Sequence, residues 1–178
     1  MPQSRSAPLT PDELCAHLSK QGLSFARIDH EAVFTVAESQ GLRGTLPGLH
    51  SKNLFVKDKK GRLFLVSARE NARIDLKRLH ETLGASGRLS FCSAEQLMER
   101  LGVTPGSVTA FAVINDRDGV VTMVLDRNLV TGEDMNFHPL VNTATLRIAR
   151  DDMLAFLRGV DHEPMIVDLP VPDDGQSG

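Results

Sequence analysis

Residues 53–68, NLFVKDKKGRLFLVSA, decide the fold. Two runs rich in β-branched and aromatic residues flank four residues of turn composition, which predicts an antiparallel β-hairpin. A second pair of apolar runs, 110–115 and 120–126, surrounds Asp-Arg-Asp-Gly and predicts another hairpin in the centre of the sheet. The remaining β-rich runs predict four further strands, the last of them at an edge: 25–29, 88–92, 143–148 and 165–169.

The starts of the helices can be predicted from capping residues in their first turns. Capping boxes begin at Thr10, Thr35 and Ser93, each with Glu or Gln three residues later. The helices that they open should end at Gly22, Gly41 and Gly102, because glycine commonly ends a helix. Two aspartates predict the other helix starts: Asp75 caps 76–83 and Asp151 caps a helix through Leu157. The sequence therefore predicts one α+β domain over 1–169, with a mixed, mostly antiparallel, curved sheet flanked by helices, followed by a flexible acidic tail over 170–178.

The composition is that of an ordinary globular domain. The 178 residues are 41% hydrophobic and 24% charged, and no apolar run is long enough to cross a bilayer. The polar first eleven residues lack the apolar region of a secretory signal, so a cytoplasmic location is expected, with no membrane partner. The two cysteines, Cys15 and Cys92, are too few and too far apart for a disulfide framework or a zinc site, and we expect buried thiols.

The charge is unevenly distributed. The net charge is −3, yet residues 52–88 hold ten Lys and Arg against four Asp and Glu. This asymmetry suits a protein that turns one basic face toward a phosphate backbone, although a solvated surface explains any single lysine equally well. Tryptophan and tyrosine are absent, which disfavours a stacking platform for single strands.

Three separated segments set polar groups or a Gly-Ser turn beside predicted strands: 50–55, 102–108 and 136–145. Taken singly, Lys52 is an ordinary strand-end lysine, Pro105-Gly106 a simple turn and His138 a surface histidine before proline. No Gly-x-Ser-x-Gly elbow, P-loop, His-Glu-x-x-His or Cys-x-x-Cys motif is present. Residue chemistry alone therefore indicates only a binding or hydrolytic site, without a metal or an organic cofactor.

Together, the three segments closely resemble the free-standing prolyl-tRNA editing proteins of the YbaK superfamily. Lys52 matches the lysine that the superfamily keeps in its pocket, Pro105-Gly106-Ser107-Val108 its Gly-rich turn, and residues 138–143 its His-Pro-x-x-Asn-Thr segment. The better match within the superfamily is the ProXp-ala (PrdX) type, which hydrolyses alanine wrongly attached to proline tRNA. One departure is Ala110, which stands where the family pattern leads us to expect proline.

The resemblance spans roughly residues 9–157 and implies a trans-editing aminoacyl-tRNA deacylase with the fold of that family. Lys52 would hold the terminal nucleotide, the amides of Gly106 and Ser107 would form an oxyanion hole, and His138 would face the substrate as hydrogen-bond partner or proton shuttle. Asn53 would orient the α-amino group or the carbonyl of the amino acid.

The same resemblance implies a small acyl pocket and a basic tRNA surface. The expected pocket walls are Leu46, Pro47, Phe55 and Val113. The expected tRNA-binding residues are Lys57, Lys59, Lys60, Arg62, Arg69 and Arg73. The partner would be the acceptor end of tRNA(Pro) carrying alanine, with prolyl-tRNA synthetase as a further candidate, and no cofactor or metal is implied.

Three alternatives stay open. The same site could act on another acyl group, such as cysteine, serine or another small amino acid, because pocket volume cannot be derived from one sequence. The chain could instead be a non-catalytic tRNA- or DNA-binding module that uses only the basic segment, with strongly salt-dependent binding. Cys92 could act as a thiol nucleophile, which is the most distant of the three.

Overall fold

The computed structural model describes residues 7–32, 48–132 and 134–173. Eight strands appear in these ranges: β1 Phe25–Asp29, β2 Leu49–Lys57, β3 Leu63–Arg69, β4 Ser90–Phe91, β5 Val121–Asp126, β6 Asp134–Phe137, β7 Ala144–Ala149 and β8 Met165–Val167. The α-helices there are α1 Pro11–Lys20, α2 Leu79–Leu83, α3 Ala94–Leu101 and α4 Arg150–Gly159, and two 3-10 helices span Pro105–Ser107 and Ala110–Asn115. No helix among the described residues is long and apolar enough to cross a membrane.

The strands form one sheet in the order β1-β7-β6-β2-β3-β5-β8, and the short β4 also pairs with β2. Antiparallel pairs are β1/β7, β6/β7, β2/β3 and β2/β4, and parallel pairs are β2/β6, β3/β5 and β5/β8. The predicted α+β class with a mixed, mostly antiparallel sheet is confirmed. The hairpin predicted over 53–68 is β2 and β3, joined by a turn that Gly61 completes at φ +84°.

The two faces of the sheet bury different hydrophobic clusters. The main core lies against α1, α3, α4 and the second 3-10 helix, and at its centre Phe111 makes edge contacts with Phe137 and Phe156, at 5.8 and 5.2 Å between ring centroids. A smaller core on the other face packs α2 against Val56, Phe64 and Val66. Most of the stability of the fold should come from the burial of these two clusters.

Two of the predicted helix starts are confirmed in detail. The Thr10 hydroxyl accepts a hydrogen bond from the Glu13 amide while the Glu13 carboxylate accepts one from the Thr10 amide, and Ser93 and Gln96 repeat the arrangement. Both helices end as expected, because Gly22 and Gly102 adopt positive φ values of +74° and +67°. The capping box at Thr35 and the helix ending near Gly41 lie outside the described residues.

Two helix starts differ from the prediction. The helix expected over 76–83 begins only at Leu79, because the Asp75 carboxylate accepts from the Lys77 amide and pairs with Arg78, which stabilises a turn instead. Asp151 lies inside the first turn of α4, whose N-cap is Ala149. There its negative charge still faces the positive end of the helix dipole.

The strand predictions need three corrections. The run 110–115 is a 3-10 helix rather than a strand, because the Thr109 hydroxyl caps it through the Phe111 amide and Asn115 bonds to the Leu101 carbonyl. Its partner in the predicted hairpin, β5, pairs parallel with β3 instead. The run 88–92 yields only the two residues of β4, and β6 was not predicted. A short apolar run that is buried on every side shows the same sequence pattern whether it forms a strand or a helix, which explains the first error.

The start of the predicted tail contacts the domain. The Pro170 carbonyl accepts from the Asp75 amide at 2.7 Å, and the Val171 carbonyl accepts from the Arg78 guanidinium at 3.3 Å. Residues 174–178 lie outside the described residues, and the boundary at 169 stays a prediction.

A buried pair, Asp116 and His162, connects the turn before β5 to the chain after α4. The His162 Nε2 lies 2.8 Å from the Asp116 carboxylate, and Nδ1 lies 2.6 Å from the Val160 carbonyl. Both partners accept hydrogen bonds, so the ring carries two protons. Burial opposes its charge, but the Asp116 carboxylate outweighs burial and raises the pKa of His162. Burial likewise opposes the charge of Asp116, yet His162 and the Val120 and Val121 amides lower its pKa.

Replacing His162 with Gln should lower the free energy of unfolding by about 3 kcal/mol, because it leaves the Asp116 charge buried without its cation. The raised pKa of His162 makes its contribution complete below the ordinary value of 6.5, and it is lost as the pH rises through the folded value. Urea unfolding of both proteins from about pH 5.5 to about pH 9 measures this difference. A difference between them that grows with pH would contradict the charged pair.

Candidate functional site

The sheet has a gap along one edge of β2. On one side, β2 pairs with β3 over 51–57. On its other side, β6 covers only residues 49–50, β4 covers only 56–57, and the Cys92 amide bonds to the Phe55 carbonyl. Among the described strands, none pairs with this edge at residues 52–54. A gap of this kind exposes peptide groups and side chains from both faces of a rigid strand, which makes it a suitable place for a small-molecule site.

Lys52 lies at the gap on the face opposite the main core. It stands directly across from Ala68 of β3, while the main-core residues Phe55 and Leu65 occupy the other face. The half-buried Lys52 ammonium donates a hydrogen bond to the Ala72 carbonyl. This contact uses one of its three N–H groups and fixes the direction of the side chain, so two donors remain for an anionic or carbonyl ligand.

His138 directly follows β6, the strand that pairs with the start of β2. His50 pairs with Asn136 at the end of this pairing, two residues before Lys52 in one segment and two residues before His138 in the other. The His138 ring bonds through Nδ1 to the Ala144 carbonyl at 3.2 Å, which requires the hydrogen on Nδ1 and leaves the lone pair on Nε2. Burial lowers the pKa of His138 from its ordinary value of 6.5, so the ring is neutral at pH 7.

A second histidine, His30, lies close to this site and was not predicted. Its Nδ1 bonds to the Glu31 carbonyl at 2.7 Å and its Nε2 to the Thr145 hydroxyl at 2.8 Å. Thr145 follows Ala144, the residue whose carbonyl holds His138, and an electrostatic contribution from His30 adds to burial in lowering the pKa of His138. The only sequence signal was a polar residue directly after β1, which is too common a pattern to single it out.

Asn53 faces the other side of β2, toward the main core. It pairs in register with Ser67, and the Ser67 hydroxyl donates to the Asn53 Oδ1. Adjacent residues of a strand point to opposite faces, so Lys52 and Asn53 approach the gap from the two sides of the sheet. Ser67 is fully buried and was not predicted as part of the site. Within a run of apolar strand residues it had no distinguishing signal except its hydroxyl.

Gly106 and Ser107 lie in the first 3-10 helix, on the side of the main core. Gly106 is exposed and Ser107 is buried. The Ser107 amide donates to the Thr104 carbonyl at 2.9 Å. The Ser107 amide is therefore already used in a hydrogen bond within the turn. The Gly106 amide takes no part in that hydrogen bond. Their role as an oxyanion hole stays a prediction.

Ala110, the departure from the family pattern, takes the first position of the second 3-10 helix and is fully buried. Proline would be tolerated at such a position, because the first amide of a helix has no partner inside the helix. In this chain the Thr109 side chain caps the helix by accepting from the Phe111 amide at 3.3 Å. The loop is thus anchored without the proline.

The predicted pocket walls fall into two groups. Phe55 and Val113 are buried in the main core, on the same side of the sheet as Asn53. Leu46 and Pro47 lie outside the described residues. The role of all four in acyl selection stays a prediction.

The structure separates the six predicted tRNA-binding residues into two groups. Arg69 lies opposite Ser51 at the Lys52 end of the β2/β3 pair, and Arg73 follows it after a short turn. The others lie at the hairpin end, about 17 Å from Lys52 along β2 at ~3.3 Å per residue. There Lys57 bonds to Gln96, Arg62 stacks over the Phe64 ring at 5.1 Å, and Lys59 and Lys60 are exposed.

Metal ligands are not assembled in the part of the chain that the structure describes: there, no group of three or more His, Cys, Asp or Glu side chains could hold an ion. The predicted site residues Lys52, His138 and Asn53 supply one ammonium, one neutral imidazole and one side-chain amide. This set can bind an ester, stabilise negative charge on its carbonyl and orient a water molecule.

Comparison with known proteins identifies the family. The model of the aminoacyl-tRNA editing domain matches residues 30–156, so the chain belongs to this family. It is accordingly an aminoacyl-tRNA deacylase, a hydrolase of the ester that joins an amino acid to tRNA. The predicted resemblance to the YbaK superfamily is confirmed at this level.

Relatives and solved structures agree with the assignment. The prolyl-tRNA synthetase associated domain-containing protein 1 of Danio rerio is 39% identical over 157 residues, covering 87% of this chain and 85% of the relative. The prolyl-tRNA editing protein ProX of Acetoanaerobium sticklandii is 35% identical over 139 residues, covering 78% and 84%. A crystal structure of a candidate trans-editing enzyme for prolyl tRNA synthetase shares the fold, with TM-score 0.68, 18% identity, and coverage of 93% of this chain and 100% of that one.

Cys92 should be dispensable for catalysis. Burial raises the pKa of its thiol to about 11, although nearby Lys57 opposes the shift, so almost none of it is thiolate at pH 7. A Cys92→Ser protein should therefore deacylate tRNA at a rate within about twofold of the wild type, because the thiolate is the nucleophilic form. Cys15→Ser is the matched control. A loss of deacylase activity in Cys92→Ser but not in Cys15→Ser would support the thiol mechanism.

The rate of deacylation should fall at acidic pH through protonation of His138. The lowered pKa predicts full activity above the ordinary value of 6.5 and a decline with a midpoint below it. A His138→Gln protein should lose about 10²-fold in kcat/KM and lack this acidic limb. A pH–rate profile of both proteins, corrected for spontaneous ester hydrolysis, tests this. A wild-type rate that stays constant down to about pH 5 would show that the protonation state of His138 is irrelevant.

Proposed function

We propose that this protein removes alanine from mischarged tRNA(Pro) in trans. The observation that carries the proposal is the gap beside β2, which Lys52 and Asn53 approach from the two faces of the sheet and which is bordered by β6, the strand that leads into the neutral His138. Further support comes from the motif resemblance to the ProXp-ala type and from relatives whose names refer to prolyl-tRNA editing and to prolyl-tRNA synthetase.

Hydrolysis of an aminoacyl ester needs positioning more than a strong nucleophile, because the ester is already activated. The oxygen of a water molecule forms a bond to the acyl carbon, and the ester C–O bond then breaks toward the ribose of the terminal adenosine. A proton from the water passes through the neighbouring ribose hydroxyl to the leaving oxygen. The products are free alanine and a tRNA with a free 3′ end.

Lys52 holds the terminal nucleotide in this mechanism. Its ammonium is fixed by the Ala72 carbonyl and retains two N–H donors for a phosphate or a ribose oxygen. His138 presents the Nε2 lone pair to the same region, where it accepts a hydrogen bond from the water or from the ribose hydroxyl. The Gly106 amide donates to the oxyanion, and a donor of this kind typically lowers the barrier by ~3 kcal/mol.

Selectivity for alanine comes from exclusion of the larger proline ring. Phe55 and Val113 belong to the closely packed main core and cannot move aside easily, so they suit the walls of a small pocket. Such a pocket acts as the second sieve of double-sieve editing, in which only the smaller amino acid reaches the ester.

The two basic groups offer a path for the RNA. Arg69 and Arg73 lie at the Lys52 end of the sheet, where the acceptor end would enter, and the hairpin residues Lys59, Lys60 and Arg62 lie farther along β2 and β3. Phosphates of the acceptor stem could contact both groups at once. The substrate comes from prolyl-tRNA synthetase, which is therefore a candidate partner, and the cytoplasm is the expected location.

The wild-type protein should release alanine from Ala-tRNA(Pro) rapidly and leave Pro-tRNA(Pro) intact. Lys52→Ala should lose about 10²-fold in kcat/KM, because the ester is misplaced when the terminal nucleotide is no longer held. Lys20→Ala, an exposed lysine on α1, is the matched control and should retain wild-type activity. The measurement is release of labelled amino acid under single-turnover conditions.

Two results would count against this proposal. Faster release of serine, cysteine or another amino acid from a panel of aminoacyl-tRNAs would reassign the acyl specificity. Full activity of Lys52→Ala would remove Lys52 from the mechanism.

A further inference from the structure

Ser67 and Asn53 form a polar pair inside the β2/β3 hairpin. They face each other in register, and the Ser67 hydroxyl donates to the Asn53 Oδ1. Ser67 is fully buried, while Asn53 is only half-buried. The pair therefore has one end inside the protein and one end that reaches toward the open part of β2.

This contact fixes the orientation of the Asn53 amide. The carbonyl oxygen and the NH₂ group of an asparagine occupy the two corners of a planar amide, so an oxygen directed at β3 turns the nitrogen away from β3. On that side of β2, residues 52–54 have no strand partner among the described residues. The two Nδ2 hydrogens are thus presented at the gap.

The site needs such a donor. Of the two amides predicted to form the oxyanion hole, that of Ser107 donates to the Thr104 carbonyl. Asn53 lies on the same face of the sheet as the main core, to which Val103 and Val108 on either side of the 105–107 turn also contribute. A side-chain amide that is held in place costs no reorganisation during the reaction, which is the property that makes an oxyanion donor effective.

We propose that Ser67 is a positioning residue that holds the Asn53 amide so that its Nδ2 donates to the acyl carbonyl oxygen of the bound ester. This inference rests on the proposed deacylase function. It assigns Asn53 to the carbonyl rather than to the α-ammonium group of the amino acid, because an ammonium has only donors and would need the Oδ1, which Ser67 holds toward β3 and away from the gap, whereas Nδ2 faces the gap.

A double-mutant cycle separates this role from a merely structural one. Asn53→Ala should lower kcat about 10²-fold with little change in KM, because the donor acts mainly in the transition state. Ser67→Ala should lower kcat about tenfold, and the double variant should match Asn53→Ala alone, since Ser67 acts only through Asn53. Thr122→Val, which removes a hydroxyl from neighbouring β5, is the matched control and should keep wild-type activity.

The Asn53→Asp variant tests whether Asn53 binds the acyl carbonyl or the α-ammonium group of the amino acid. A carboxylate still accepts from Ser67 but cannot donate, so this variant should be at least as slow as Asn53→Ala. If Asn53 bound the α-ammonium instead, the added negative charge would preserve or improve KM and keep kcat near the wild-type value. That result would overturn the assignment to the carbonyl.

The outcomes separate this inference from the proposed function. The variants are compared on whichever aminoacyl-tRNA the wild type hydrolyses fastest, after circular dichroism has shown each of them to be folded. Two results with an active wild type would overturn the role of Ser67 alone. One is a double variant whose loss of kcat equals the product of the two single losses, and the other is a Ser67→Ala protein with unchanged activity. A wild type that is inactive on every aminoacyl-tRNA overturns both proposals.

Discussion

The unequal pairing of the two edges of β2 is the constraint on which the site depends. One edge is bonded to β3 over seven consecutive residues, which holds the strand rigid and fixes its register. The other edge is shared between β6 at its beginning and β4 at its end. A strand supported in this way can keep its geometry even though three of its residues have no strand partner on this edge in the described part of the chain.

The electrostatics of the gap follow from what surrounds each polar group. Lys52 is held by a backbone carbonyl, which directs its charge without neutralising it. His138 is buried enough to stay neutral, and its bond to Ala144 determines which nitrogen keeps the lone pair. The one strongly buried charge pair described above, Asp116 with His162, has its carboxylate in the turn before β5 and connects elements that the reaction does not need. The protein thus separates this buried charge pair from the polar groups of the proposed site.

Local chemistry made much of the fold predictable. The capping boxes at Thr10 and Ser93 and the hairpin over 53–68 are short-range signals, and each is confirmed because the responsible contacts lie within a few residues. The strand prediction for 110–115 was wrong for the opposite reason. Its apolar run fits a strand or a buried helix equally well, and packing against α3, β3 and β5 decides between them. The candidate site was found by family motif, whereas its gap and its Asn53–Ser67 contact depend on strand pairing between distant residues, which no local pattern specifies.

The pleat of β2 has a consequence for how such a site can change. Lys52 and Asn53 are neighbours in the chain, but their side chains leave the sheet in opposite directions. Substitutions around Asn53 alter the neighbourhood of the main core and leave the surroundings of Lys52 untouched, and the reverse holds as well. In the proposed mechanism, recognition of the amino acid and recognition of the nucleotide can therefore diverge independently under selection, whereas a single inserted or deleted residue in β2 would exchange the two faces and abolish both at once.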